Sequence, residues 1–299
     1  MKLLVVNDDG PPSSSSPYFA PFIRALNAAG HSTVVVIPDR PLSWISKAHA
    51  VGKSLTATVR CPSELVLASA PDAKVSNGAQ SLTCAVADCA MAAAHDPFHH
   101  WLLVDGPPAS CTQLGLFHSG FRPGDFDLVV SGPNHGRNSG ALHTLSSGTV
   151  GGAMEGALCG VRAVALSFGS KEPQPDSVIS DACARSVELI EELHGAWAAE
   201  VEVYSINVPM IADVATCPSR YTTLAANRWS KGSLFSAVAA NADPEKGAVS
   251  RTLNFRWAPE LSDVHQAAEK SQEGEDLWAS LNGCISITPF KADFATAQV

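Results

Sequence analysis

The sequence predicts an α/β fold around a mostly parallel sheet, on three observations. Apolar runs of buried-strand length recur at 3–6, 33–37, 101–104, 127–130, 161–167 and 201–208. Segments with apolar residues at helical spacing separate several of them. Most of the runs end in clusters of Asp, Asn, Ser, Gly and Pro, residue types that make turns and also carry polar chemistry.

Taken in order, the first strand ends in Asn7-Asp8-Asp9-Gly10, followed by a Pro- and Ser-rich loop to Tyr18. Phe22, Ile23 and Leu26 then mark a helix over 20–29 that stops at Gly30. The strand at 33–37 completes a β-α-β unit, which implies a right-handed crossover between parallel strands. Alternation around 55–59 suggests a short hairpin, and 81–94 reads as a helix rich in cysteine and alanine. The strand at 101–104 leads to a short helix at 111–118, and the strand at 127–130 ends in Ser131-Gly132-Pro133-Asn134. A glycine-rich stretch then feeds a helix after Ser147-Gly148-Thr149. Beyond the strand at 161–167, a helix at 181–194 and the strand at 201–208, the alternation fades. Strands are expected at 221–225, 252–257 and 285–288, with a turn-rich connection at 241–247 and an exposed charged segment at 269–276. The chain thus divides into a core, 1–209, and an extension, 210–299, with unpaired apolar strands that a second copy could cover.

Composition narrows the function. A net charge of −9 and the absence of any Lys/Arg block argue against duplex nucleic acid as a partner. A hydrophobic content of 45% with 16% charged residues describes a globular chain. The eight cysteines have no zinc-type spacing and read as buried free thiols. Neither a signal peptide nor a membrane span is apparent, so no membrane partner is expected and the cytoplasm is the expected compartment.

The chemistry gathers at strand ends. Asp8 and Asp9 sit at the carboxyl end of the first strand, where ligands bind in open α/β sheets. Adjacent carboxylates repel, and a hard divalent cation would relieve them; the same residues also read as a plain Asp-Gly turn. Ser43 and Asn134 follow other parallel strands and complete an all-oxygen set suited to Mg²⁺, Mn²⁺ or Ca²⁺, although each alone reads as a cap or turn former. Ser147-Gly148-Thr149 ahead of a helix offers backbone N–H groups to an anion, or is an ordinary N-cap. His135 and His143 are proton-shuttle or packing residues, and Arg137 and Lys47 either offset substrate charge or are solvated. Trp44 and Tyr18 either stack on a base or pack. No P-loop, GxGxxG, GxSxG or HExxH pattern occurs.

Taken together, Val6-Asn7-Asp8-Asp9-Gly10, Pro38-Asp39-Arg40-x-x-Ser43, Ser131-Gly-x-Asn134-x-Gly-x-Asn138-x-Gly140 and Ser147-Gly148-Thr149-Val-x-x-Ala153-Met154-Glu155-Gly156 resemble the survival protein SurE family. Weaker echoes follow at 206–209 and 276–289. The resemblance implies a Rossmann-like three-layer core with a C-terminal β-rich extension used in dimers or tetramers. It implies that Asp8, Asp9, Ser43 and Asn134 bind one divalent ion, Mg²⁺ or Mn²⁺ with Ca²⁺ as an alternative. It further implies that Asn138, Ser147, Gly148 and Thr149 face a phosphate. The expected activity is hydrolysis of nucleoside monophosphates and other phosphate esters, with Asp8 or Asp9 as general base or as orienter of the attacking water; a covalent route with Asp8 or Asp9 as nucleophile is the alternative mechanism, disfavoured because both acids are wanted as ligands. The alternative is a non-catalytic nucleotide- or phosphate-binding module. The chain departs from the bacterial pattern at 11–16, at Leu42-Ser43-Trp44 and at Pro133, which bears on substrate preference.

Overall fold

The computed structural model describes residues 1–62, 65, 100–230, 232–238 and 253–294. The helix expected at 81–94 and the connection at 241–247 lie outside them. Among the described residues the main sheet has nine strands in the order β3-β4-β2-β1-β5-β6-β7-β11-β8. The strands are β1 (Lys2–Val6), β2 (Ser32–Pro38), β3 (Ala57–Arg60), β4 (Trp101–Val104), β5 (Leu128–His135), β6 (Ala163–Phe168), β7 (Val203–Val208), β8 (Ser219–Tyr221) and β11 (Ile285–Phe290). Within this sheet only the β3–β4 and β7–β11 pairs are antiparallel. The expected fold class, mixed α/β with a mostly parallel sheet, is therefore what the chain forms. The segment near 55–59 forms an edge strand pairing with β4, where a local hairpin was expected.

Alternation along the strands sorts the core into two faces. Leu3 and Val5 face helices α1 (Phe19–Ala28) and α5 (Asp176–Gly195) through Phe19, Phe22, Leu26, Val187 and Ile190. Leu4 and Val6 face α2 (Pro108–His118) and α4 (Gly148–Leu158) through Cys111, Leu116, Val150 and Ala153. The result is helix, sheet, helix. Each fully buried Leu or Val on these faces contributes about 1.5–3 kcal/mol. A short α3 (Gly140–Ser146) precedes α4.

The region beyond 210 is continuous with the core sheet, since β11 pairs with β7 and β8 with β11. Its first strand lies at 219–221, ahead of the expected 221–225. Two helices the periodicity did not announce are present, α6 (Ser262–Glu269) and α7 (Asp276–Leu281). The 269–276 segment is exposed or half-buried through Glu275, as expected, but its last residue, Asp276, is only 1% exposed. Its carboxylate accepts from the backbone N–H groups of Gly140, Ala225 and Leu277, fastening the C-terminal region to α3. Strands β9 (Phe235–Val238) and β10 (Asn254–Trp257) form a separate antiparallel pair outside the main sheet. Among the described residues no helix is long and apolar enough to cross a membrane.

Candidate functional site

Strand order reverses between β1 and β5: β2 lies on one side of β1, and the chain continues through β6 and β7 on the other. Such a switch point opens a crevice at the carboxyl ends of the strands. Asp8 and Asp9 stand there, following β1, and Asn134 and His135 end β5. The sequence expectation closed β5 at Val130. The strand instead runs on to His135 through an irregularity between Ser131 and Asn134, which carries it past Gly132 and Pro133 and re-aims Asn134. The two strand ends are tied directly, since the His135 N–H donates to Asp9 Oδ2 at 2.6 Å.

The turn after β1 is built by Asn7, not Asp9. Asn7 Nδ2 donates to the Gly10 carbonyl at 2.7 Å, and Asn7 Oδ1 accepts from the Gly10 N–H at 3.1 Å. Gly10 has φ +75°, and a Cβ there would lie 2.9 Å from the Arg40 carbonyl carbon. Only glycine lets the acid turn and the loop after β2 approach this closely.

Helix α4 aims its amino end at Asp8. A Cβ on Gly148 would meet Asp8 Cβ at 2.8 Å and Asp8 Oδ2 at 2.9 Å, so the glycine creates the contact. Thr149, fully buried, donates its hydroxyl to Asp8 Oδ1 at 2.5 Å. Ser147 is the N-cap, its hydroxyl accepting from the Val150 N–H at 3.1 Å. The Thr149 hydroxyl is thus directed onto the Asp8 carboxylate.

The loop carrying Ser43 and Trp44 is held from several directions. Leu42 N–H donates to the Asp8 carbonyl at 2.8 Å, and Ser46 donates to the carbonyls of Ser146 and Leu145 at 2.9 and 2.7 Å. Lys47 pairs with buried Glu155 of α4 at 2.6 Å, so its charge is committed to structure. Glu155 also accepts from Gln113 at 2.5 Å and lies 3.3 Å from His49.

A cavity of about 330 Å³ opens at the switch point. Of the residues singled out from sequence, Asp8, Ser43, Trp44, Asn134, Arg137, Asn138, His143 and Ser147 line it. Asp9, Gly148 and Thr149 are not among its lining residues. Asn138 is braced by Ser167, to which Nδ2 donates at 2.9 Å, and by Asn207, which accepts its N–H at 2.7 Å. Tyr18 is packing: it is buried against His135 and Phe168. The sequence pointed to neither Lys171, after β6, nor His265, from α6, yet both line the cavity. Both lie outside any motif; a position just past the carboxyl end of a parallel strand was the one signal for Lys171.

The electrostatics of the acid pair are unusual. Both aspartates are 3% exposed. Burial raises the Asp8 carboxyl above its ordinary value, against the bonds from Thr149. Burial and the neighbouring Asp8 charge push Asp9 up to about 8. The positive charge that opposes both is Lys171. Two adjacent buried carboxylates opposed by one lysine are under-compensated for charge. Burial, then Arg137, lowers the pKa of His143, keeping its imidazole neutral more readily.

The family model "Survival protein SurE" matches residues 3–231. A yeast protein named "Probable tubulin--tyrosine ligase PBY1" (Saccharomyces cerevisiae) is 33% identical over 98% of this chain, and the chain spans 41% of that protein's length. The "5'-nucleotidase SurE" of Aquifex aeolicus is 30% identical over 99% of this chain and 94% of its own. That of a Synechococcus strain is 29% identical over 98% and 91%. The crystal structure of the SurE protein from Aquifex aeolicus superposes with a TM-score of 0.65 at 24% identity, covering 99% of this chain and 95% of that one, a likeness of fold. The strand-end acids, the switch-point cavity and the match over residues 3–231 converge: the chain belongs to the survival protein SurE family.

Proposed function

We propose that this chain is a divalent-metal-dependent phosphomonoesterase acting on nucleoside monophosphates, with other phosphate esters as further substrates. The carrying observation is the buried, under-compensated Asp8–Asp9 pair at the wall of a cavity that also holds Lys171 and Arg137. The names of the bacterial relatives, 5'-nucleotidases, support the same reading.

The donor set fits a hard cation. Asp8 and Asp9 would hold it with Ser43 Oγ and Asn134 Oδ1; Asn134 Nδ2 already donates to the Gly136 carbonyl at 2.6 Å, which leaves the amide oxygen for a ligand. When bound, a Mg²⁺ or Mn²⁺ ion would polarise a phosphoryl oxygen and acidify water. The chain's own groups do the rest. Thr149 and the His135 N–H fix one oxygen of each carboxylate, so the other points in a set direction. Lys171, Arg137, Asn138 and Ser147 line the space a phosphate would occupy, and the α4 amino end at Gly148 and Thr149 adds its dipole. Asp8, on the cavity wall, would orient or deprotonate the attacking water.

Residues 210–299 would serve as the extension through which copies associate, the β9–β10 pair exposing Phe235, Phe255 and Trp257. Light scattering at micromolar concentration would then give a dimer or tetramer, and a 31.2 kDa monomer would refute this part. For the activity, a panel of 5'- and 3'-mononucleotides and an aryl phosphate, each with and without Mn²⁺, tests the reading. Hydrolysis of at least one mononucleotide only with metal supports it. Tight nucleotide binding with no turnover under any metal refutes it in favour of a binding module.

A further inference from the structure

The cavity has a polar end, described above, and an aromatic mouth that the phosphate chemistry does not use. Trp44 lines the cavity with 38% of its surface still exposed. Around it stand Trp257 of β10 at 5.4 Å between ring centroids, His143 at 5.8 Å and Trp229 at 6.2 Å. Phe235 of β9 extends the cluster, 5.3 Å from Trp257. These rings come from four separate segments of the chain, so their meeting is a product of the fold.

The backbone is bent to put Trp44 there. Trp44 and Ser46 have φ of +61° and +57°, the left-handed region that side-chain-bearing residues rarely adopt, and the only non-glycine examples among the described residues. The Ser46 bonds to Leu145 and Ser146 and the Lys47–Glu155 pair hold the loop in that shape. An indole needed only for packing would not require a partly exposed position at a cavity mouth, on a left-handed residue.

We infer that Trp44, backed by Trp229 and Trp257, is a stacking platform for the planar base of the nucleotide, which is carried by the nucleoside that leaves through its ribose oxygen. This rests on the phosphomonoesterase reading and deepens it. A phosphate at the polar end places the rest of the ester toward the mouth, because both line one cavity. Recognition is by ring face: Leu261 and Val264, which also line the cavity, are apolar, and His265 beside them is free to add an edge contact without selecting the ring. Stacking on an aromatic side chain tolerates any base, since every base has a π-face.

The test compares kcat/KM for 5'-AMP with that for ribose 5-phosphate, which is the same ester without the base. The ratio cancels changes common to both substrates, including any shift of the neighbouring Ser43. In the wild type the ratio favours AMP. Trp44→Leu lowers it about tenfold, and Trp44→Phe, which keeps a ring, restores most of it. Calorimetric binding of adenosine to wild type and Trp44→Leu needs no turnover and separates the two claims. Adenosine binding lost in Trp44→Leu upholds the platform even if no ester is hydrolysed. Metal-dependent turnover with an unchanged ratio in Trp44→Leu overturns the platform and leaves the phosphatase reading intact. A change of oligomeric state in Trp44→Leu with the ratio unaltered assigns the aromatics to a contact between copies and likewise overturns it.

Discussion

Replacing Thr149 by Val probes how the fold prepares Asp8. The two side chains have similar volume, so the change removes a hydroxyl and little else. That hydroxyl donates to Asp8 Oδ1 at 2.5 Å with no exposure to solvent. Neighbouring Gly148 packs against the other side of Asp8, where a Cβ would lie 2.9 Å from Oδ2. A hydrogen bond to a charged group contributes about 1.5–3 kcal/mol, and an unsatisfied buried acceptor costs a similar amount. The bond favours ionised Asp8, the form a cation needs, against burial, which disfavours it. Thr149→Val should therefore weaken Mn²⁺ binding roughly ten- to hundredfold, at about 1.4 kcal/mol per factor of ten. Calorimetric titration of chelator-treated protein with Mn²⁺ measures this, with circular dichroism to verify the fold. Affinity within twofold of wild type in a folded variant would show that Thr149 does not prepare Asp8 for a cation.

Two further variants follow from the same electrostatics. Burial and the Asp8 charge raise Asp9 from 3.8 to about 8, so folding of the metal-free chain takes up a proton there, and that stability drains away as pH rises from about 4 to 8. Asp9→Asn removes the penalty and should be more stable than metal-free wild type at pH 8, by roughly 1–3 kcal/mol in urea unfolding, while losing stabilisation by Mn²⁺; lower stability at pH 8 would contradict this. Glu155 is the opposite case: burial raises its pKa, but the bonds from Lys47 and Gln113 outweigh burial and leave it below 4.5. Its contribution is present above that pH and lost as pH falls through the lower folded value. Glu155→Gln should cost about 1–2 kcal/mol at pH 7, Lys47 being partly exposed, and the gap to wild type should close in acid; a pH-independent gap would refute the ion-pair account.

The core of the fold was legible because its strands are nearly uninterrupted apolar runs, and β4 lies where the run at 101–104 places it. The ligand-type residues were legible for a related reason: Asp8 and Asn134 follow such runs closely, and parallel topology brings their ends together. What resisted reading depends on distant contacts. Gly132 and Pro133 look like a strand terminator, yet pairing with β6 resumes at Asn134. Asp276 lies in a charged stretch, and its burial is decided by backbone N–H groups of Gly140 and Ala225, far away in sequence. Thr149 in a Ser-Gly-Thr loop looks like an anion donor; only the approach permitted by Gly148 reveals Asp8 as its partner. Lys171, His265 and the ring cluster around Trp44 come from segments with no pattern of their own.

The central claim is that the Asp8–Asp9 pair supports metal-dependent phosphate release. Its most direct test is phosphate release from 5'-AMP by chelator-stripped protein, followed on re-addition of Mn²⁺ or Mg²⁺, for wild type and Asp8→Asn side by side. The account predicts no release without metal, recovery in the wild type on re-addition, and at least a hundredfold lower rate in a folded Asp8→Asn variant. Equal phosphate release by wild type and Asp8→Asn, or release by wild type that chelation leaves untouched, would contradict it.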